Sequence, residues 1–177
     1  MARISFVEKD KAHPLMKEVY QRLEDQGSEV LNLFKVMAHC PWIGRNFIRL
    51  GNSILKGEEL PANLRELAIL RVGHILQAEY EVTKHIPLAL QAGISQEQLD
   101  RLLGTGLISG FGDEETAVLS YTDELTKNCM VNSTTFEKLR TFLSERAIVE
   151  LTAVISYYNM VCRILVGLQI ELENLQK

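Results

Sequence analysis

Three side chains in one stretch of the chain are suited to moving a proton: Glu66, Glu81 and His85. Glu81 and His85 stand four residues apart, so on a helix they share a face. A carboxylate beside an imidazole raises the imidazole's pKa and fixes its tautomer, as a general acid or base requires. The competing reading is a surface Glu–His pair worth only ~0.2–0.5 kcal/mol, and such pairs are common. Tyr80 adds a hydroxyl beside them. Glu66 lies inside the apolar run Leu64 to Leu70, where an ionised carboxylate is costly unless paired or hydrogen-bonded. Three readings of it stand: an ion pair with Arg65, Arg71 or a distant arginine; a solvent-facing residue; or a site residue with a raised pKa. The ion pair leads on sequence alone. His74 joins the face of Glu81 and His85 only if the helix runs unbroken through Gln77. Two imidazoles and a carboxylate suit Zn or Fe, but this spacing fits no recognised ligand motif and no outer partner for the ligands is evident. No metal and no other cofactor is expected.

The elements that must carry these residues read as helices throughout, because apolar residues recur at helical spacing between turn residues. His13-Pro14 opens a first helix ended by Gly27-Ser28; Val30 to Met37 suggests a short second; Pro41 starts a third that Gly57 closes. Pro61 starts the segment that carries Glu66. A break is expected at Gln77 to Glu79, and the next helix runs toward Gly93 with Pro87 inside it, a position that kinks a helix or bends its start. Ser95 with Gln98 forms a capping box. Gly104, Gly106, Gly110 and Gly112 mark a flexible loop. Asp113 is expected to cap a helix through Lys127, Thr134 with Glu137 reads as a further capping box, and Ser144 caps a long last helix. That helix has two apolar stripes, one through Ile148, Leu151, Ile155, Tyr158, Cys162 and Leu165, the other through Val154, Val161, Ile164 and Ile170. Apolar on two sides, it is central or shared with a second subunit, and the subunit interface is favoured. A faint echo, Tyr80 then His85 against Tyr158 then Arg163, suggests a duplicated helical hairpin.

The length of 177 residues fits one domain, 1–177, and a core built without staples. A formal net charge of -4 with no basic run argues against nucleic acid as partner. The charged start, Met1 to Lys11, lacks the apolar stretch of a signal peptide, and no apolar run reaches the ~20 residues that span a bilayer. No membrane partner is expected, and the default location is the cytoplasm. Cys40, Cys129 and Cys162 form no CxxC pair; three reduced, mostly buried thiols are expected.

The stretch Arg65-Glu66-Leu67-Ala68-Ile69-Leu70-Arg71-Val72, followed by Ala78-Glu79-Tyr80-Glu81 and His85, resembles the carboxymuconolactone decarboxylase family, which includes the alkylhydroperoxidase D-like proteins. His85-Ile86-Pro87-Leu88-Ala89, Gly93-Ile94-Ser95 and Tyr121-Thr122-Asp123-Glu124-Leu125-Thr126 are similar to it as well. The resemblance covers most of the chain, from about Phe34 onward, and implies an all-α bundle and a homo-oligomer, a trimer or hexamer. The family's redox branch carries a glutamate, a Cys-x-x-Cys and a histidine. Counted back from His85, the two thiol positions hold Ala78 and Glu81 and the glutamate position holds Glu66. The proton-relay pair is therefore matched and both thiols are missing. Peroxide reduction needs an activated thiolate and a resolving partner. What remains is the family's decarboxylase branch, which removes carbon dioxide from a small lactone acid. On that reading His85 is the acid, Glu81 or Glu66 tunes it, Tyr80 donates to an oxyanion, and Arg71 and His74 contact the substrate. An antioxidant relative with a degenerate redox site, and a non-catalytic ligand-binding oligomer, are the alternatives.

Overall fold

The computed structural model describes residues 2–105 and 110–173. Among these the secondary structure is helical: α1 (Pro14–Asp25), α2 (Asn32–Met37), α3 (Pro41–Leu55), α4 (Ala62–Ile75), α5 (Glu79–Gln91), α6 (Gln96–Asp100), a π-helical turn (Arg101–Thr105), α7 (Asp113–Asn128), α8 (Ser133–Arg140) and α9 (Glu145–Leu168). The all-α expectation holds. The chain divides into two compact units, Met1–Lys56 with Gly167–Lys177, and Gly57–Val166.

In the first unit, Met16 and Tyr20 of α1, Leu33 and Val36 of α2, and Phe47 and Ile48 of α3 are buried together with little polar company. Gly44 is required where α3 begins, because a Cβ there would stand 2.6 Å from the carbonyl oxygen of Met37.

The second unit carries every candidate site residue. Its α4 is buried on nearly all sides, from Leu64 through Gly73 apart from the half-buried Arg65, which is why its sequence shows almost no polar face. The helix stops at a Schellman turn. Gln77 adopts the left-handed conformation at φ 54, its N–H donates to the His74 carbonyl at 3.2 Å, and that of Ala78 donates to the Gly73 carbonyl at 2.8 Å. The expected break is thus a reversal that sends α5 back along α4. Gly73 permits the close approach, since a Cβ there would lie 2.9 Å from a methyl of Val82. Pro87 sits in the interior of α5, which continues to Gln91.

Several local expectations change. The Ser95–Gln98 capping box forms and Ser144 caps α9 through the Ala147 N–H, but Asp113 is already helical and Gly112 is the cap residue, its N–H donating to Glu115. No box forms at Thr134; Asn132 precedes α8, and Glu124 accepts from the Asn132 N–H and the Thr135 hydroxyl instead. Gly104 belongs to the π-helical turn rather than to a loop, and Gly106 lies outside the described residues. Of the three thiols only Cys162 is buried; Cys40 and Cys129 are exposed. Burial within a single chain already accounts for much of both α9 stripes, with Leu151, Val154, Ile155, Tyr158, Val161 and Cys162 in the core. Neither stripe therefore has to mark a subunit face. By length and composition α9 is also apolar enough to cross a bilayer, contrary to the sequence count, yet its buried face is what a core helix presents.

Candidate functional site

α4 and α5 run side by side and bring Glu66 and His85 together across the turn. The imidazole stands between two carboxylates. Its Nδ1–H donates to Glu66 Oε2 at 2.7 Å, and its Nε2–H donates to Glu81 Oε1 at 3.0 Å. Glu66 is 2% exposed, Glu81 5% and His85 6%, so the Glu81–His85 pair, which the sequence favours as a surface contact, is part of a core cluster. Arg65 Nε donates to the other oxygen of Glu66 at 3.3 Å, so the ion pair with Arg65 forms and the solvent-facing reading of Glu66 falls. Burial by itself pushes the imidazole toward its neutral form. The hydrogen bonds to Glu66 and Glu81, with their charges, outweigh it and raise His85 to about 9. Both ring nitrogens are therefore donors near neutral pH. They point away from each other with a carboxylate at each, so no single ion touches all three groups, and among the described residues no His, Cys, Asp and Glu set is arranged to hold a metal.

Tyr158 of α9 closes this cluster. Its ring meets the imidazole edge-on, centroids 5.0 Å apart at 88°, and Tyr157 packs against it in turn at 5.4 Å. Burial, then the nearby Glu81 and Glu66 charges, push the Tyr158 hydroxyl well above its usual range. Burial and then Glu81 do the same to the Cys162 thiol one turn further along, which keeps that thiol protonated. The sequence suggests Tyr80 here rather than Tyr158, whose signals are its place in an apolar stripe of α9 and the faint echo of Tyr80. Tyr80 is buried, with the Lys84 ammonium 5.9 Å from its ring centre.

Arg71 and His74 go elsewhere. Three residues apart on α4, they line a cleft of about 710 Å³ together with Ala78, Glu79, Val82 and Lys127. Arg71 is bound as a fork to Asp123 of α7, Nε to Oδ1 at 2.5 Å and Nη2 to Oδ2 at 2.7 Å, and Lys127 donates to the same carboxylate at 2.9 Å. These two cations hold Asp123 below the usual carboxylate range even though its partial burial opposes them. His74 is pushed the other way from His85: burial first, then the Arg71 charge, lowers its pKa and leaves it neutral. The residues proposed from sequence thus separate into a sealed Glu66–His85–Glu81 cluster and an open cleft bearing Arg71 and His74, with the start of α5 between them.

Residues 41–124 match the profile of the Carboxymuconolactone decarboxylase family. No curated protein matches the chain. Among solved structures, an alkylhydroperoxidase AhpD core, an uncharacterized peroxidase-related protein from Ralstonia eutropha JMP134, is similar at 18% identity and TM-score 0.85, over 98% of this chain and 93% of that one. A peroxidase-related protein from Silicibacter sp. TM1040 is similar at 18% identity and TM-score 0.81, over 98% and 92%. The debrominase Bmp8, solved with 2,3,4-tribromopyrrole, is similar at 15% identity and TM-score 0.76, over 98% and 95%. At such identities the likeness establishes a shared alkylhydroperoxidase D-like helical fold and leaves chemistry to the site.

Proposed function

We propose, for a chain whose residues 41–124 match the profile of the carboxymuconolactone decarboxylase family, that it is a non-thiol acid–base enzyme acting on a small organic acid. The observation that carries this reading is the buried His85 imidazole held between Glu66 and Glu81, an arrangement that raises its pKa to about 9. Such a row of groups stores a proton and passes it along short hydrogen bonds. Glu81 takes the Nε2 proton of His85 and passes it to a substrate carbanion, and the neutral imidazole left behind keeps its Nδ1–H bond to Glu66 until a proton from solvent restores its charge. A carbon that has lost carbon dioxide needs such a donor. Tyr158 fixes the ring plane, and the surrounding apolar residues exclude water that would compete for the proton.

The same positions argue against peroxide chemistry. Ala78 and Glu81 stand where the family's redox branch has thiols. Cys162 is buried with its thiol held protonated, and all three cysteines are free.

A second reading, a non-catalytic ligand-binding oligomer, draws on the burial of the cluster, which suits a purely structural ion network equally well. Exposed Val149, Met160 and Val166 on α9 and Trp42, Ile43 and Leu50 on α3 favour self-association on either reading, as the homotrimer or homohexamer implied by resemblance.

Carbon dioxide release from carboxymuconolactone and other small lactone acids, with wild type beside a folded His85→Ala variant, tests the enzyme reading. Release that vanishes in the variant supports it. No release from any of these acids by folded wild type moves the weight to the binding reading.

A further inference from the structure

Glu66, His85 and Glu81 are each at most 6% exposed, so most of a bound acid must lie beside the cluster. The cleft at the turn between α4 and α5 is the concave surface next to it, with Ala78 and Glu79 in its wall. Within that cleft His74 differs from His85, the other histidine of the second unit. It is partly exposed, and none of the described residues hydrogen-bonds to its ring. Two cations, Arg71 and Lys127, share the lining with it. Arg71 is bound to Asp123 in a bidentate fork and serves as a fixed positive wall. Lys127 makes one bond to the same carboxylate from a half-exposed position, so its remaining N–H groups are available to a ligand. The charged and titratable groups around His74 are therefore Arg71 on its own helix, Asp123 and Lys127 on α7, and Glu79 at the start of α5. The first turn of α5, which opens there, has no side-chain cap at Ala78.

We infer that this cleft is the seat of a small carboxylate, held by the His74 imidazole and the Lys127 ammonium, and that His74 takes up a proton as the anion enters. The inference rests on the acid–base reading only for its placement beside α5; binding itself does not require turnover. A neutral imidazole between two cations has one strong reason to ionise, the arrival of a negative charge. The empty cleft leaves the proton off, because burial and the neighbouring cations oppose it. A carboxylate reverses that balance, and the proton converts the ring into a charge-assisted donor. Proton uptake and anion binding are then linked. Above the pKa of His74 in the empty cleft, affinity falls as pH rises, up to tenfold per unit.

The test uses the full chain and γ-butyrolactone-γ-carboxylate, a saturated lactone acid that cannot decarboxylate, titrated while the imidazole resonances are followed by NMR. The expected result has four parts. The His74 resonances move and its pKa rises at saturation. The His85 resonances stay in place. Binding weakens about tenfold or more in His74→Ala and in Lys127→Met. Affinity drops between pH 6 and 8. Unmoved His74 resonances, or unchanged affinity in both variants, overturn the inference. Turnover of a lactone acid without binding at this cleft sinks the inference and leaves the acid–base enzyme standing. Linked binding here without turnover does the reverse.

Discussion

Glu66 and His85, nineteen residues apart in sequence, meet at 2.7 Å in the core of the second unit, because a Schellman turn at Gln77 folds α5 back onto α4. The imidazole receives Glu81 on its other nitrogen at 3.0 Å. A carboxylate on either side turns a residue that ordinarily titrates near neutrality into a lasting charge.

This has a consequence for stability. The folded-state pKa of His85 is raised from 6.5 to about 9, so its contribution is fully present below the unfolded value and is lost as pH rises through the folded one. The magnitude is ~3 kcal/mol. Wild type is expected to lose melting temperature between pH 7 and 10 more steeply than His85→Gln, whose cluster has no charge to lose. Thermal melts of both proteins across that range check it; parallel curves contradict it.

The two carboxylates do not contribute in the same way. Glu66→Gln removes a buried partner of both His85 and Arg65, and Glu81→Gln removes the group nearest the start of α5. Both substitutions are expected to lower the His85 pKa. Glu66→Gln should also destabilise the fold by about 3 kcal/mol, as when one member of a buried pair is removed. Glu81→Gln is expected to abolish turnover while keeping most of the stability. Urea unfolding together with carbon dioxide release measures both quantities, and a Glu81→Gln protein with full turnover rules out Glu81 as the exit for the proton.

Helix spacing supports the cluster through Gly73. Alanine there places a Cβ 2.9 Å from a Val82 methyl, and Gly73→Ala is expected to destabilise by ~1–3 kcal/mol through overpacking. In a Val82→Ala background the same change should stabilise by ~1 kcal/mol, because the clash is gone and alanine favours the helix. The double-mutant cycle reads the reversal of sign; the same sign in both backgrounds contradicts the close approach.

Thiols are dispensable on this account. A variant with Cys40→Ser, Cys129→Ser and Cys162→Ala is expected to keep any lactone-acid turnover of wild type within about twofold, since none of these groups joins the cluster. Loss of turnover in a folded protein, or thiol-dependent peroxide reduction by wild type, would return the redox reading.

Much of the helical plan was legible in the sequence because it rests on local signals. Pro14 and Pro41 at helix starts, the Ser95–Gln98 box and the Ser144 cap each depend on residues a few positions apart. The caps at Gly112 and Asn132 carry weaker signals. Asn132 is held through its N–H by Glu124, eight positions back, and Gly112 has no side chain to mark it as a cap although Glu115, three positions on, accepts from its N–H. The break at Gln77 was anticipated, but not its hand, because glutamine rarely takes the left-handed conformation it adopts there. Glu66, Glu81 and His85 could be named from residue type and spacing. Their division from Arg71 and His74 could not, since it depends on which way α4 turns its faces. Tyr158 stands seventy-three positions beyond His85, and no periodicity within α9 distinguishes a tyrosine that meets an imidazole from one that fills a core.

The most direct test of the central claim is an NMR titration of the His85 imidazole in the intact chain, assigned through His85→Gln. The expected result is a ring doubly protonated at neutral pH with a pKa of about 9, falling toward the ordinary value when Glu81 is replaced by glutamine. A ring that is neutral at pH 7, or a pKa unmoved by loss of Glu81, would contradict it.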